Sequence, residues 1–494
     1  QFSGMTPALI DIEMAAHGGS VVEIAKDDAG VWQVVRDGKM NRRITPLDTA
    51  MTIDGPAAGH TRMKTNDDPD GVNVIGTLNN CAGGLTPWGT WLMAEEMLRV
   101  TKPGGMTVLS YTLWLSPFGG HETRPWHYLG GEYAARRLAR AGLDVVAVEA
   151  RLVGGECPFW GCTPSKLLIH AAREGRALPA AAARIREATH DWHDDGHVGP
   201  MEAEGVRVVR GHGRLDGPGR VRVSTEDGDL VLTGRRGVVL NTGTAPAVPP
   251  VPGLDGTPYW TNREVFEVEE APDSLAVLGA GNIGCELAQA FARLGTRVTL
   301  LESAERILVP EEPEAAEAVT RVLREEGVEV RTRAEVARVE HDGSGFTLVT
   351  GTGDVRADHL LVATGRRPHL ADVGLESVGL DPDSDTVAVD EHCRAAERLW
   401  AVGDITGHGA YTHMSLYQGR VAVHDILEQD GPPATYHAVS RVTFTDPEVA
   451  GVGLTEAQAR EQGIAVVTGT ADIDSSPRGW IDEATGVVKV IADA

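Results

Sequence analysis

Apolar residues follow two different rhythms along the 494 residues of this chain. Over residues 1–96, short runs such as Ser20–Ile24 and Val31–Val35 are separated by the turn clusters DDAG and NDDPDG, a spacing that predicts an all-β segment. One more strand is expected over Thr107–Leu115, introduced by Pro103-Gly104-Gly105. From Gly130 onward, Ala- and Arg-rich stretches of helical period alternate with Val/Leu strands, the βαβ pattern of an α/β protein. Gly431-Pro432-Pro433 then reads as a linker into a last piece.

Within the α/β region, the apolar run Leu275–Leu278 enters Gly279-Ala280-Gly281-Asn282-Ile283-Gly284. A helix (Glu286–Leu294) and a second strand (Arg297–Leu301) follow, ending at Glu302. This is the glycine fingerprint of a dinucleotide site in its proper context. Gly279 permits the turn, Gly281 lets a pyrophosphate approach the backbone, and Gly284 lets the helix pack on the strand. Glu302 is placed to accept hydrogen bonds from an adenosine ribose, which favours NADH over NADPH because a 2′-phosphate would meet its charge. Arg306 is the nearby cation.

The same ruler fits an earlier unit. Gly284 and Glu302 are 302 − 284 = 18 residues apart, and Gly131 and Glu149 are 149 − 131 = 18 apart. Gly131 thus matches the third glycine and Glu149 the ribose acid, with a helix over Tyr133–Arg140 and a strand over Asp144–Val148 between them. The first two glycines would fall at Trp126 and Tyr128, and the GHETRP segment before them lacks a strand pattern. Bulky side chains there are expected to weaken pyrophosphate binding.

Composition narrows the function. The net charge of −26 argues against nucleic acid, since phosphate binding needs clustered basic residues, and only six lysines occur (26, 39, 64, 102, 166 and 489). No apolar run is long enough to span a membrane. Of five cysteines, Cys81, Cys285 and Cys393 stand alone, whereas Cys157 and Cys162 lie close together. One close pair in a Cys-poor chain points to redox chemistry in a reducing compartment, the cytoplasm. A regular helix would hold Cys157 and Cys162 about 7.5 Å apart. A disulfide needs about 4.4–6.8 Å, so the helix must break between them, and Pro158 and Gly161 suit such a break.

The segment GGECPFWGCTPSK (154–166) resembles the redox-active disulfide motif of the class I pyridine nucleotide-disulfide oxidoreductases. NTGTAP (241–246), the Gly279–Gly284 fingerprint with Glu286, VATGRRP (362–368), AVGD (401–404) and FTDPEVAGVGLTE (444–456) follow in the family's order. The resemblance implies FAD and NAD(P)H as cofactors, a small-molecule disulfide or other electron acceptor, and a homodimer. It implies Cys162 as the flavin-facing thiolate and Cys157 as the exchanging thiol. Lys166 and Glu286 would pair beside the flavin, and Asp404 would bond its ribityl chain. Gly154, Gly155, Thr242, Gly243, Gly365 and Gly403 fall in the motifs that line the cofactors. The family's interface domain also supplies a His-Glu pair, which is expected beyond Ala494, so that domain reads as truncated.

Residues 7–96 resemble part of the PhoX-type alkaline phosphatases, through MAAHGGSVVEI (14–24), NRRIT (41–45), GPAAGH (55–60) and the 76–96 stretch. Those enzymes are propellers holding iron and calcium, which makes Cys81, Glu95 and Glu96 weak candidate ligands; no complete metal site is expected. Residues 98–131 resemble a piece of a SAM-dependent methyltransferase without its SAM loop. The chain begins Gln1-Phe2-Ser3-Gly4 and reads as a mosaic. The expected fold class is α/β: two Rossmann-like dinucleotide-binding domains, the first incomplete, with a truncated α+β interface domain and a preceding partial all-β, propeller-like segment. Expected boundaries are 1–96, 97–131, 132–247 and 367–434 for the two parts of the flavin domain, 248–366 for the nicotinamide domain, and 435–494 for the interface domain.

Overall fold

A computed structural model describes residues 130–475, 477–481 and 486–493, together with the backbone of six short strands between Gly19 and Ile75. The chain divides into two compact units, 1–114 and 115–494. In the first, the described strands form antiparallel pairs: Gly19–Val21 with Arg42–Ile44, Ile24–Lys26 with Trp32–Val34, and Ala50–Thr52 with Asn73–Ile75. Cys81, Glu95, Glu96, the strand expected over 107–115, and Trp126 and Tyr128 lie outside the described residues.

In the second unit, the 274–362 region builds a four-stranded parallel sheet in the order Glu329–Arg331, Arg297–Leu301, Ser274–Leu278, His359–Val362. Every residue of Ser274–Leu278 is buried, as a parallel strand covered on both faces requires. Alternate residues face different cores. Leu275, Val277 and Leu300 pack with Leu287 and Phe291 of the helix Asn282–Arg293. Ala276, Leu278 and Leu301 pack with Phe346, Leu348 and Val355 of a three-stranded antiparallel sheet. Gly284 is where helix meets strand, and a Cβ there would stand 1.9 Å from the Gly279 carbonyl oxygen.

The first dinucleotide unit repeats this plan. The helix Gly130–Arg140 precedes Val145–Glu149, which pairs in parallel with Val206–Arg210. Val238–Leu240 pairs in parallel with Leu399–Ala401. The helix contributes Ala134 and Leu138 to a core that also takes in Val145 and Val239. Among the described residues, Val145–Glu149 and Val238–Leu240 each have a strand partner on one side only. Their counterparts in the second unit, Arg297–Leu301 and His359–Val362, flank the central strand Ser274–Leu278. The corresponding position in the first unit precedes Gly130. Gly131 also matches Gly284 in its packing. A Cβ on Gly131 would meet Asn241 Oδ1 at 2.7 Å, and one on Gly284 would lie 3.6 Å from Ala363, the residue equivalent to Asn241.

The last piece is α+β. It has a hairpin of Ser440–Thr443 and Val449–Val452, a helix Glu456–Glu461 with a Thr455/Gln458 capping box, and a second hairpin of Val466–Asp472 and Val487–Asp493. No helix among the described residues is long and apolar enough to cross a membrane.

Gly284→Ala is expected to destabilise the unit by about 1–3 kcal/mol, since the methyl meets backbone that cannot move aside. Calorimetry should then show a melting point about 2–12 °C lower. An unchanged melting point would mean that helix and strand are not in contact here.

Candidate redox and dinucleotide site

The expected break in the helix is present. A short helix, Glu156–Trp160, stops at Gly161 (φ −127°, ψ −111°), and a second, Cys162–Arg173, begins at once. Cys157 and Cys162 are free thiols lying side by side at this joint. The Thr412 hydroxyl donates to Cys157 Sγ at 3.1 Å and lies 3.6 Å from Cys162 Sγ. Thr412 opens the helix Thr412–Ile426, and no side chain caps that helix or the one starting at Cys162. Two helix N-termini, each carrying partial positive charge, thus converge on the sulfurs.

The short helix is held in place by residues distant in sequence. Asn262 Nδ2 donates to the Trp160 carbonyl (2.7 Å) and to Glu156 Oε2 (2.9 Å). Arg263 donates to Glu156 at 3.0 Å and lies 5.0 Å over the Trp160 ring. Arg366 pairs with Glu156 at 3.2 Å, and Trp192 Nε1 donates to the Phe159 carbonyl at 3.1 Å.

The electrostatics separate the two thiols. A hydrogen bond from the Cys157 thiol, helped by Lys166 and Thr412, lowers Cys162 to about 6 against the opposing pull of burial. That same hydrogen bond, together with burial, pushes Cys157 well above the ordinary thiol range. The reduced pair therefore holds one proton, on Cys157, and one charge, on Cys162. Lys166 Nζ pairs with Glu286 Oε2 at 2.8 Å and sits 4.2 Å over the Phe444 ring. The other oxygen of Glu286, a buried residue, accepts the Phe444 N–H at 2.8 Å. The Lys166–Glu286 pair expected from the sequence is thus formed.

At the second fingerprint, Gly279 takes φ +99°, and a Cβ on Gly281 would face open space at the start of a helix that no side chain caps. An open, uncapped helix start of this kind can accept an anion such as a pyrophosphate. Glu302 accepts backbone N–H groups from Ala280 and Ala304, each at 2.9 Å, which fixes its carboxylate beside the loop. The Arg306 guanidinium is occupied by the carbonyls of Leu308 (2.8 Å), Val309 (2.7 Å) and Glu311 (2.8 Å).

On the flavin side, Glu149 accepts the Arg151 N–H at 2.8 Å, and burial raises its carboxyl. Gly154 is crowded by Phe159 and Pro158, while a Cβ on Gly155 would face open space. Asp404 accepts the Thr244 hydroxyl at 2.8 Å, and Gly403, at φ +83°, is packed on Asn241 and Ser415. The Thr242 hydroxyl donates to the His369 carbonyl (2.9 Å), and Gly243 returns its carbonyl to the His369 N–H (2.9 Å). Gly365 accepts from the Ala247 N–H at 2.9 Å. These loops gather at the carboxyl ends of Val238–Leu240 and Leu399–Ala401, where a doubly wound sheet binds its ligand. The open Gly281 loop suits a dinucleotide phosphate, whereas the phosphate loop of the flavin unit lies outside the described residues. The described residues include no group of three or more His, Cys, Asp or Glu able to hold a metal ion.

Sequence reasoning missed Glu156, Asn262, Arg263 and Thr412. Glu156 was visible inside the motif, but the other three lie far from it along the chain and carry no local signal.

Residues 129–440 match the family model of the pyridine nucleotide-disulphide oxidoreductases, and residues 439–494 match the model of that family's dimerisation domain. Residues 2–115 match the model of alkaline phosphatase PhoX. A mercuric reductase of Streptomyces lividans is 39% identical over 391 residues, covering 74% of this chain and 82% of that protein. The probable pyridine nucleotide-disulfide oxidoreductase RclA of Escherichia coli is 31% identical over 371 residues, covering 74% and 84%. Among solved structures, the Cu(II) complex of the HOCl-induced flavoprotein disulfide reductase RclA from Escherichia coli superposes with a TM-score of 0.67 at 30% identity, covering 74% of this chain and 85% of that one. LpdA from Mycobacterium tuberculosis gives 0.66 at 26% identity, with the same coverage.

Cys162 ionises at about 6 in the folded chain, against 9.0 for an unperturbed thiol. The reduced protein should therefore gain stability as pH rises from about 6 to 9.0, and lose that gain as pH falls through 6. Lys166→Met should raise the folded value and shrink the gain. Thermal unfolding of the reduced chain across this window, with Cys162→Ser as reference, measures it; identical curves for parent and reference would contradict the assignment.

Proposed function

Since this chain belongs to the pyridine nucleotide-disulphide oxidoreductases and is an FAD- and NAD(P)H-dependent disulfide oxidoreductase, we propose that NADH is its reductant, Cys157 and Cys162 its redox pair, and a small disulfide its acceptor. The observation that carries this reading is the helix break that sets Cys157 and Cys162 side by side, with Lys166, on the helix that Cys162 begins, paired to Glu286 and the Thr412 hydroxyl within reach of both sulfurs.

Bound FAD supplies the two-electron relay between NADH and the Cys157–Cys162 disulfide. This chain's residues do the rest. Lys166, fixed by Glu286, holds positive charge beside Cys162, so that opening the disulfide leaves a thiolate there. Cys157 then attacks the acceptor disulfide, forming a mixed disulfide and releasing one thiol. Cys162 attacks Cys157, releasing the second thiol and closing the Cys157–Cys162 bond. NADH, a proton and the disulfide are consumed, and NAD and two thiols are formed.

Glu302 would favour NADH because its carboxylate, fixed beside the Gly279–Gly284 loop, would repel a 2′-phosphate, and Arg306 is engaged by backbone carbonyls. Glu149, Asp404, Thr242 and the glycines 131, 154, 155, 243, 365 and 403 would line the flavin; Gly279, Gly281 and Gly284 would line the nicotinamide dinucleotide. Trp126 and Tyr128 stand where that flavin site calls for glycine, so flavin is expected below one per chain. The match to the dimerisation domain supports a homodimer, and the chemistry suits the cytoplasm. The match over 2–115 supports a second reading, a metal-dependent phosphatase using Cys81, Glu95 or Glu96. Whether Cys81→Ser abolishes hydrolysis of p-nitrophenyl phosphate separates the two.

Under anaerobic conditions, NADH should expose about two new thiols per bound flavin, counted with an aromatic disulfide reagent. Cys157→Ser and Cys162→Ser should each lose turnover. If either variant reduces the aromatic disulfide, or mercuric ion supplied in its place, as fast as the parent, the redox pair is misassigned.

Glu302→Arg should move preference from NADH towards NADPH by at least about tenfold in the ratio of kcat/KM values. An unchanged ratio would remove Glu302 from the cofactor site.

A further inference from the structure

The Thr412 hydroxyl touches both sulfurs of the pair, and it stands nearer the one that is protonated at rest: 3.1 Å to Cys157 against 3.6 Å to Cys162. A donor placed only to steady the resting thiolate would sit closer to Cys162. Its placement suits the moment when charge must appear on Cys157.

That moment is unavoidable if the pair works as proposed above. The reduced pair is Cys157–SH beside Cys162–S⁻, and only a thiolate attacks a disulfide. The proton must leave Cys157 before Cys157 can form a bond to the acceptor sulfur, and among the described residues Cys162, already hydrogen-bonded to it, is the base at hand. The acceptor's own S–S bond then breaks, and its leaving thiolate takes the proton from Cys162. Cys162, charged again, attacks Cys157, and the second leaving thiolate is protonated by solvent. During the first transfer Lys166 favours charge on Cys162, and burial penalises charge on Cys157. The charged groups acting on Cys162 are Lys166, on its own helix, and Glu286, from the helix Asn282–Arg293; neither donates a hydrogen bond to Cys157.

We propose that Thr412 is a positioning residue for thiol–disulfide exchange: its hydroxyl, a donor shared by the two sulfurs, steadies the negative charge as it moves from Cys162 to Cys157. The hydroxyl can do this because it is held rigidly. Thr412 is β-branched and so restricted about χ1, and it is the first residue of a fifteen-residue helix. Ser415 and Gln418 of that helix bond the Gly130 N–H (3.2 Å) and the Gly403 N–H (2.7 Å) respectively. Tyr411 and His413 stack with each other on either side of it, ring centres 5.4 Å apart. The N-terminal dipole of the same helix points its positive end at the sulfurs, so the hydroxyl and the backbone act in one direction.

The test compares Thr412→Val, which keeps the shape and removes the donor, with Thr412→Ser, which keeps the donor and removes the methyl. Each full-length chain is reduced, freed of reductant without oxygen, and pulse-alkylated with iodoacetamide from about pH 5 to about pH 10, with labelling at Cys157 and Cys162 read separately by peptide mass spectrometry. The rate with a small aromatic disulfide is measured on the same reduced chains, so no flavin turnover is needed. In Thr412→Val, the labelling midpoints of both sulfurs should rise by about one pH unit, and exchange at neutral pH should slow about tenfold. Thr412→Ser should behave like the parent. Parental behaviour in Thr412→Val would overturn the proposal, and so would equal losses in both variants, which would mark Thr412 as packing alone. If the parent itself shows no cysteine ionising well below the ordinary thiol range, the redox-pair reading falls together with this one.

Discussion

The carboxylate of Glu286 is the point on which the architecture of the site turns. It is buried, which leaves an ionised carboxylate tolerable only with strong partners. It has two: the Lys166 ammonium on one oxygen and the Phe444 N–H on the other. Those partners belong to the redox helix and to the start of the C-terminal piece, while Glu286 itself sits one turn into the helix of the nicotinamide fingerprint. A single buried charge therefore requires three parts of the chain to meet in one geometry. Removing the Lys166 ammonium would leave a charge in a medium that cannot solvate it, a cost of about 3–5 kcal/mol. The positive charge needed beside Cys162 follows from the same constraint, because Lys166 cannot turn away without stranding Glu286.

Further contacts repeat this junction in weaker form. Gln289, one turn further along the same helix, exchanges hydrogen bonds with the backbone of Asp446, and Arg441 pairs with Glu311. Lys489 of the last hairpin is ringed by Glu312, Glu314 and Glu456, each at 2.8 Å. The charge of −26 would by itself push an acidic chain apart. Two of its six lysines are placed where acidic groups gather at domain junctions, so part of the repulsion becomes attachment. The bidentate arginines do the same on a smaller scale; Arg293, for example, bridges Glu326 and Asp446.

How much of this could be read in the sequence depends on the distance over which the cause acts. The second fingerprint was legible because its physics is local: a strand, a turn that needs glycine, a helix and an acid within 24 residues, 279 to 302. The match of Gly131 to Gly284 was legible for the same reason, since an unbroken βα unit has a fixed length. A helix break between Cys157 and Cys162 followed from sulfur geometry, with Pro158 and Gly161 suited to it. By contrast, nothing near Thr412 announces that its hydroxyl meets Cys157, 255 residues away. The anchoring of Glu156 by Asn262 and Arg263 is likewise a tertiary fact, and Glu156 would pass for a surface acid beside a cysteine.

That anchoring bears on how the short helix Glu156–Trp160 keeps its shape. A helix of five residues is too short to be stable by its own hydrogen bonds. Pro158 stiffens it but removes a backbone donor. Its geometry must therefore come from outside, and the Glu156 carboxylate with Arg263, Arg366 and Asn262 supplies it from one end, while Trp192 and Asn262 bind the carbonyls of Phe159 and Trp160 at the other. Arg366 continues the chain: it donates to the Thr244 hydroxyl, which donates to Asp404. The position of Cys157 and that of the Asp404 carboxylate are thus set by one connected network of charged and polar groups. Because such groups lose most of their worth when a single partner is missing, the network has few intermediate arrangements. The sulfur proposed to exchange and the acid expected beside the flavin are held in register by the same bonds that keep an otherwise unstable helix folded.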